Sequence, residues 1–150
     1  MSRRSFDPER ADRAQRWFER VLKHTKSRFA RSKFILTDWQ RDDIIRPLFG
    51  TVRWDDQLQL EVRRYRVAWI ELSRKNGKSE LLAGIALHLL CADGEEGAEV
   101  YGAAKDREQA ALVFQVARRM VELSPILSKR LQVIDRASAS STQEPIATTR

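Results

Sequence analysis

The chain opens with an amphipathic pattern. Asp7 suits a helix N-cap and Pro8 suits the first helical position. The apolar residues that follow share one helical face: Ala11, Ala14, Phe18, Val21 and Leu22. The pattern predicts an amphipathic helix that ends near Lys26.

A second helix and a hairpin are predicted between residues 34 and 65. Apolar residues recur at helical spacing up to Gly50, a typical stop: Ile44, Ile45, Leu48 and Phe49. Beyond it, residues 52–54 and 58–62 alternate between apolar and polar across the polar residues 55–57. This alternation predicts two paired strands.

The middle of the chain predicts a βαβ unit. Residues 66–72 (RVAWIEL) form a short apolar run, and residues 78–91 are apolar nearly all round. Residues 99–104 (EVYGAA) supply a second strand, so the simplest arrangement is strand, buried helix, strand with a right-handed crossover. A further helix is expected from Asp106, with Gln109 at its capping-box position, to about Leu123.

Several aromatic and titratable side chains are expected to be structural. Trp17, Trp54 and Trp69 lie in amphipathic or strand patterns and are predicted to be in the core. We assign structural roles to His24, His88 and Cys91 as well. Arg118 and Arg119 fall off the apolar face of their helix and are expected to be solvated.

The apolar signal fades after Pro125. A further strand could begin with Leu131, Val133 and Ile134. The rest is rich in Ser, Thr and Ala, which predicts a disordered tail over residues 136–150. The chain therefore divides into an N-terminal helical segment (1–33), an α/β domain (34–135) and a tail (136–150).

Composition supports a single globular domain. Of the 150 residues, 42% are hydrophobic and 33% are charged, which is too apolar for a wholly disordered chain and too charged for a membrane protein. The single cysteine excludes an internal disulfide framework and favours a reducing, cytoplasmic setting. The longest apolar stretch, residues 81–92, is shorter than the roughly 20 residues that span a bilayer.

The basic charge is concentrated at one end. Residues 1–33 hold 11 Lys and Arg against 4 Asp and Glu, while residues 34–150 hold 17 of each, so the first segment carries the whole net charge of +7. Its charged face could contact DNA phosphates or a partner subunit. A merely solvated helical face explains the same pattern, and the sequence does not choose between them.

Candidate chemistry lies in residues 73–79 (SRKNGKS), between a predicted strand and a predicted helix. In a phosphate loop, successive backbone N–H groups surround a phosphate at a helix N-terminus. Gly77 would permit close approach, Lys78 would contact the β- and γ-phosphates, and Ser79 would bind Mg²⁺. Leu72 occupies the position of the first glycine in the strict motif, so a polar connection that contains a glycine is the alternative.

The chain resembles the large terminase subunits of tailed bacteriophages over most of its length. The matching stretches occur in the family's order: residues 36–40 (LTDWQ), 48–50 (LFG), 73–79, and 99–104 with 109–110. In that family the phosphate loop commonly lacks the first glycine and carries an arginine ahead of Gly-Lys-Ser/Thr, as Leu72 and Arg74 do here. The resemblance implies part of a P-loop NTPase (RecA/ASCE-like) fold.

The resemblance also implies roles for individual residues. Gln40 corresponds to the glutamine that reads adenine, although a surface glutamine beside a core tryptophan is the alternative. Arg74 corresponds to an arginine that acts in cis on the γ-phosphate. The alternatives are a cation that only positions the phosphate and a surface cation. Ser73, Lys75 and Asn76 are expected to bind the nucleotide as part of the loop, Lys75 and Asn76 without a catalytic role. Glu80 is interpreted as a helix-terminus carboxylate rather than a ligand.

The implied cofactors are ATP and Mg²⁺, and the implied partners are double-stranded DNA, the portal protein, the small terminase subunit and other copies in a ring, with no membrane. The implied setting is the host cytoplasm, docked at the procapsid portal. The complete motor would package DNA by hydrolysing ATP and cut it with a nuclease domain.

A Walker B strand ending in an acidic pair is missing after the phosphate loop. We therefore expect the chain to be the front part of a longer protein and to hydrolyse ATP poorly by itself. A helicase-like P-loop motor and a non-enzymatic DNA-binding fragment are the alternative functions.

Overall fold

The computed structural model describes residues 5–73, 75–94, 97–105, 107–134 and 147–148. Five α-helices make up most of the regular secondary structure in these ranges: α1 (Pro8–Val21), α2 (Arg46–Gly50), α3 (Lys78–Cys91), α4 (Arg107–Leu123) and α5 (Pro125–Ser128). Side chains from α1, α3, α4 and α5 and from the 22–45 region share one core, whose fully buried apolar members include Phe18, Leu22, Phe34, Ile45, Leu81, Leu87, Met120 and Leu127. No helix in the described ranges is both long enough and apolar enough to cross a membrane.

Helix α1 starts as predicted and ends earlier than predicted. The Asp7 carboxylate accepts hydrogen bonds from the backbone N–H groups of Glu9 (2.9 Å) and Arg10 (3.1 Å), which caps the helix. The helix ends at Val21 because Leu22 is extended and its carbonyl accepts a bond from the Phe34 N–H. The prediction of a helix to Lys26 was wrong, and residues 22–34 instead fold back as a hairpin, called here the 22–34 hairpin, with a 3₁₀ turn at Ser27–Phe29.

The predicted helix before Gly50 is confirmed, but its first part is a π-helix over Gln40–Ile45. The Arg46 N–H donates to the Arg41 carbonyl, five residues back. Pro47 has no N–H and its ring disfavours the ordinary α-helical register behind it, which suits this wider turn.

The predicted hairpin is also confirmed. Strands β2 (Thr51–Asp55) and β3 (Leu60–Arg63) pair in antiparallel fashion, with Trp54 opposite Glu61. A two-residue strand that the sequence did not indicate, β1 (Ser5–Phe6), pairs with the other edge of β2.

The predicted βαβ unit is wrong in its strands and right in its helix. Helix α3 forms, but residues 67–73 and 98–104 belong to no strand in the described part of the chain. Ile70, Leu72 and Val100 pack against the core, whereas Val67 and Trp69 are 85% and 91% exposed. The apolar pattern of the sequence therefore marks which residues reach the core but does not supply a neighbouring strand to pair with. Trp54 is exposed as well, so of the three tryptophans predicted to be in the core (Trp17, Trp54 and Trp69) only Trp17 lies there.

The C-terminal part contains α4, α5 and one strand pair. Asp106, the predicted start of α4, lies outside the described residues. The strand predicted from Leu131 is short: β4 (Leu131–Gln132) pairs in antiparallel fashion with β5 (Ala147–Thr148). Apart from β5, the predicted tail falls in residues 136–146 and 149–150, outside the described ranges.

Candidate nucleotide-binding site

The connection into α3 turns through two left-handed residues. Lys75 and Gly77 both have a φ of 70°. A side chain is strained at such a φ, so glycine suits position 77, while Lys75 accepts the strain. Left-handed residues placed among right-handed ones turn successive backbone N–H groups toward one side, the arrangement of anion-binding nests. The loop also carries an internal bond, from the Asn76 side-chain amide to the Ser73 hydroxyl at 2.6 Å.

Gly77 is the N-cap of α3, and the next two residues are the predicted phosphate and metal contacts. The Leu81 N–H donates to the Gly77 carbonyl at 3.0 Å, which closes the first helical turn. The N–H groups at the start of the helix have no partners within the helix and carry its positive dipole end. Lys78 is exposed and Ser79 is half-buried at this same end.

Gln40 lies beside this loop although 37 residues separate it from Gly77. A Cβ atom on Gly77 would stand 4.0 Å from Gln40 Nε2. Gln40 is only 7% exposed, and its Oε1 accepts a hydrogen bond from the Thr37 N–H at 3.0 Å. The alternative of a surface glutamine is therefore wrong, and the side chain is held where the π-helix begins, next to the start of α3.

Arg74, the arginine of the loop, lies outside the described residues. Its role remains a prediction from the resemblance. The neighbouring Ser73, Lys75 and Asn76 are exposed.

Glu80 makes contacts that could not be anticipated from the sequence, because its partners are more than 50 residues away. Its carboxylate accepts hydrogen bonds from the Thr25 N–H (2.6 Å), the Thr25 hydroxyl (2.7 Å) and His24 Nδ1 (2.9 Å). Burial raises the pKa of Glu80, but the bonds from His24 and Thr25 outweigh that burial and bring its pKa below the usual value. Glu80 is thus an ionised first-turn carboxylate.

The described residues contain no group of three or more His, Cys, Asp or Glu side chains that could hold a metal ion. Mg²⁺ that arrives on a nucleotide needs only one or two protein ligands beside phosphates and water. The Ser79 hydroxyl at the start of α3 is an oxygen of the kind that such an ion takes.

The comparisons with known proteins point to one family. Residues 38–149 match the family model described as the terminase large subunit, ATPase domain. The large terminase subunit of Enterobacteria phage HK97 is 40% identical over 68 residues, which are 45% of this chain and 14% of that protein. The crystal structure of the HK97 large terminase superposes with a TM-score of 0.65 at 28% identity, covering 83% of this chain and 23% of that one.

The match to the family model includes Gln40, the loop and all of α3. The chain spans only a minor part of the length of the HK97 protein, in the sequence comparison and in the structural one. The chain therefore belongs to the terminase large subunit family and carries sequence of its ATPase domain.

Proposed function

We propose that residues 73–79 bind the polyphosphate of ATP and that the chain is the nucleotide-binding part of a motor that drives double-stranded DNA into a phage procapsid. The observation that carries this proposal is the approach of Gln40 to Gly77 at the start of α3. It brings the residue proposed to read the base next to the loop proposed to hold the phosphates. Family membership supplies the class of reaction.

Each residue then has a distinct task. The backbone N–H groups around Gly77 and the first turn of α3 would hold phosphate oxygens. Lys78 would add a cation on the β- and γ-phosphates, and Ser79 would supply an oxygen ligand to Mg²⁺. The Gln40 amide would pair with the donor and acceptor edge of adenine. The nucleotide, when bound, supplies the anhydride bond whose hydrolysis powers movement.

Arg74 is proposed to neutralise the charge that develops on the γ-phosphate during hydrolysis. Such a residue contributes to the transition state more than to binding. Within the chain itself we expect little turnover, since no apolar strand ending in an acidic pair follows α3.

A titration of the 150-residue chain with a fluorescent ATP analogue and Mg²⁺ tests the proposal. We expect Lys78→Ala to weaken binding at least about tenfold, as loss of a charged contact does. Lys129→Ala, which removes an exposed lysine at the end of α5, is the matched control and should bind normally. Arg74→Ala should keep the affinity of the unaltered chain.

Binding that is unaffected by Lys78→Ala would refute the phosphate loop. Equal losses in Lys78→Ala and Arg74→Ala would make Arg74 a phosphate anchor instead of a transition-state residue. Rapid Mg²⁺-dependent turnover by residues 1–150, abolished by Lys78→Ala, would contradict the expected weak hydrolysis.

Double-stranded DNA is the proposed macromolecular substrate of the motor. The portal protein, the small terminase subunit and further copies in a ring are its proposed partners, in the cytoplasm of the host at the procapsid. The family match favours this assignment over a helicase-like ATPase and over a non-enzymatic DNA-binding fragment.

A further inference from the structure

We propose that His24, Thr25 and Glu80 form a clamp that positions the first turn of α3 for nucleotide binding. The proposal rests on the proposed function, because it concerns the residues next to Lys78 and Ser79. Glu80 is a positioning residue here and contacts no substrate.

The carboxylate of Glu80 is held from one side by three donors. Its Oε1 accepts from the N–H and the hydroxyl of Thr25, at 2.6 and 2.7 Å, and its Oε2 accepts from His24 Nδ1 at 2.9 Å. Hydrogen bonds to an ionised acceptor are about twice as strong as neutral ones. Both oxygens are engaged, so rotation of the side chain breaks more than one bond.

The donors are themselves fixed in the 22–34 hairpin. The His24 N–H donates to the Ser32 carbonyl at 3.0 Å, and the His24 carbonyl accepts from the Arg31 N–H at 2.8 Å. The His24 ring stacks on Phe34 with centroids 4.4 Å apart and planes 18° apart, and Phe34 is buried in the core. The clamp therefore connects α3 to the 22–34 hairpin, which is anchored in the core through Phe34.

A second contact on the same face of α3 brings this helix close to the end of α1 and the start of the 22–34 hairpin. Gly84 lies one helical turn after Glu80, and positions four residues apart share a face. A Cβ atom on Gly84 would overlap Phe18 and contact Leu22. This close approach lets Glu80 reach Thr25, whose segment continues directly from Leu22.

Glu80 is adjacent in sequence to the residues proposed to bind nucleotide, so the clamp affects their positions. Glu80 follows Ser79 directly, so holding its side chain also limits movement of the backbone that carries Lys78 and Ser79. Displacing groups that hold a reacting substrate by about 1 Å costs on the order of 100-fold in rate. A negative charge this close to polyphosphate would by itself oppose binding, so the two effects of Glu80 have opposite signs.

Glu80→Gln separates these effects in a titration of the 150-residue chain with the fluorescent ATP analogue and Mg²⁺. The clamp predicts that this variant binds about tenfold more weakly, the loss expected for hydrogen bonds to a charged group. A purely electrostatic role predicts tighter binding. Glu122→Gln is the control, because it removes one exposed carboxylate on α4 that also pairs with arginines.

Thr25 provides a second test that leaves the charge unchanged. Thr25→Val removes the hydroxyl bond and should weaken binding about threefold to tenfold, whereas Thr25→Ser keeps the bond and should restore it. Thermal unfolding midpoints show that each variant is folded. Unchanged or tighter binding in both Glu80→Gln and Thr25→Val would overturn the clamp.

Amide hydrogen exchange without nucleotide distinguishes failure of the clamp from failure of the proposed function. The clamp predicts faster exchange of the Leu81 and Leu82 N–H groups in Glu80→Gln than in the unaltered chain, and no change in Glu122→Gln. If the unaltered chain does not bind the ATP analogue, the proposed function fails. The clamp is tested independently of that result: if Glu80→Gln leaves the exchange of the Leu81 and Leu82 N–H groups unchanged, the clamp is wrong.

Discussion

His88 is a buried histidine whose two ring nitrogens lack hydrogen-bond partners among the described residues. Trp17 lies edge-on to its ring at 5.7 Å and Phe49 lies 4.4 Å away, between ring centroids. Burial, with the charges of Arg63 and Arg13, lowers the pKa of His88 from 6.5 to about 4. The neutral ring is thus the form that the core accepts.

This environment predicts a loss of stability in mild acid. Because the pKa is lower in the folded state, the contribution of His88 is complete above pH 6.5 and is lost progressively as the pH falls toward 4. Between pH 7.5 and pH 5.0 the free energy of unfolding should fall by about 2 kcal/mol through this residue. Urea denaturation at the two pH values measures the change.

His88→Leu is the control for this residue. It replaces two unpartnered buried nitrogens with apolar atoms, so it should match or exceed the unaltered chain in stability at pH 7.5. It should also remove most of the difference between the two pH values. Glu80, whose pKa is below its usual 4.5, stays largely ionised at pH 5.0 and does not obscure the result. An equal loss in both proteins would show that His88 is not the titrating group.

At the level of elements, the approach of α3 to α1 depends on Gly84. Gly84→Ala would gain about 1 kcal/mol of helix propensity. It would also place a methyl group against the fully buried Phe18 ring, and such overpacking costs about 1–3 kcal/mol. We expect a net loss of about 1 kcal/mol in unfolding free energy, measured by urea denaturation. Gly102→Ala, with no atom within 4 Å of the added Cβ, should be neutral.

Local sequence patterns correctly predicted the elements that are stabilised by contacts between residues close together in the sequence. The Asp7 cap, the hairpin of β2 and β3, and α3 follow from caps, alternation and apolar runs that a few neighbouring residues define. The turn at Gly77 that leads into α3 belongs to this group as well, since contiguous residues define it. Phosphate binding by this loop stays a prediction, and so does the role of Gln40, which came only from the resemblance.

The errors occur where distant partners decide the conformation. Helical periodicity continued past Val21, yet pairing of Leu22 and His24 with Phe34 and Ser32 ended the helix. The Trp69 segment has strand-forming residues, but no described residue pairs with it. The position of Glu80 in the first turn of α3 followed from the sequence, but its contacts did not, because an isolated glutamate does not reveal a threonine 55 residues away.

At the level of the whole molecule, α1 and the 22–34 hairpin carry an excess of basic side chains: residues 5–33 hold 9 Lys and Arg against 4 Asp and Glu. Arg13, Arg16 and Arg20 are exposed on α1 at positions that share a face. Exposed basic residues of the 22–34 hairpin follow them: Lys26, Arg28, Arg31 and Lys33. We call these seven residues the basic face. Its charge is complementary to DNA phosphates, which supports duplex DNA as the partner proposed for the motor.

DNA binding by the basic face predicts a specific dependence on salt. Each neutralised phosphate contributes about −0.9 to the slope of log K against log salt concentration. The triple variant Arg13→Gln, Arg16→Gln and Arg20→Gln should therefore bind duplex DNA more weakly, with a slope that is shallower by about 2–3. Fluorescence anisotropy with labelled duplex DNA at several salt concentrations measures both quantities.

Arg118→Gln, Arg119→Gln and Lys129→Gln together remove the same charge from α4 and the end of α5. If net charge alone attracts DNA, the two triple variants will lose affinity equally and the basic face has no special role. If the basic face binds the duplex, only the α1 variant changes the slope. A face that serves a neighbouring protein instead leaves the slope for DNA unchanged in both variants, because no phosphates are then neutralised by α1.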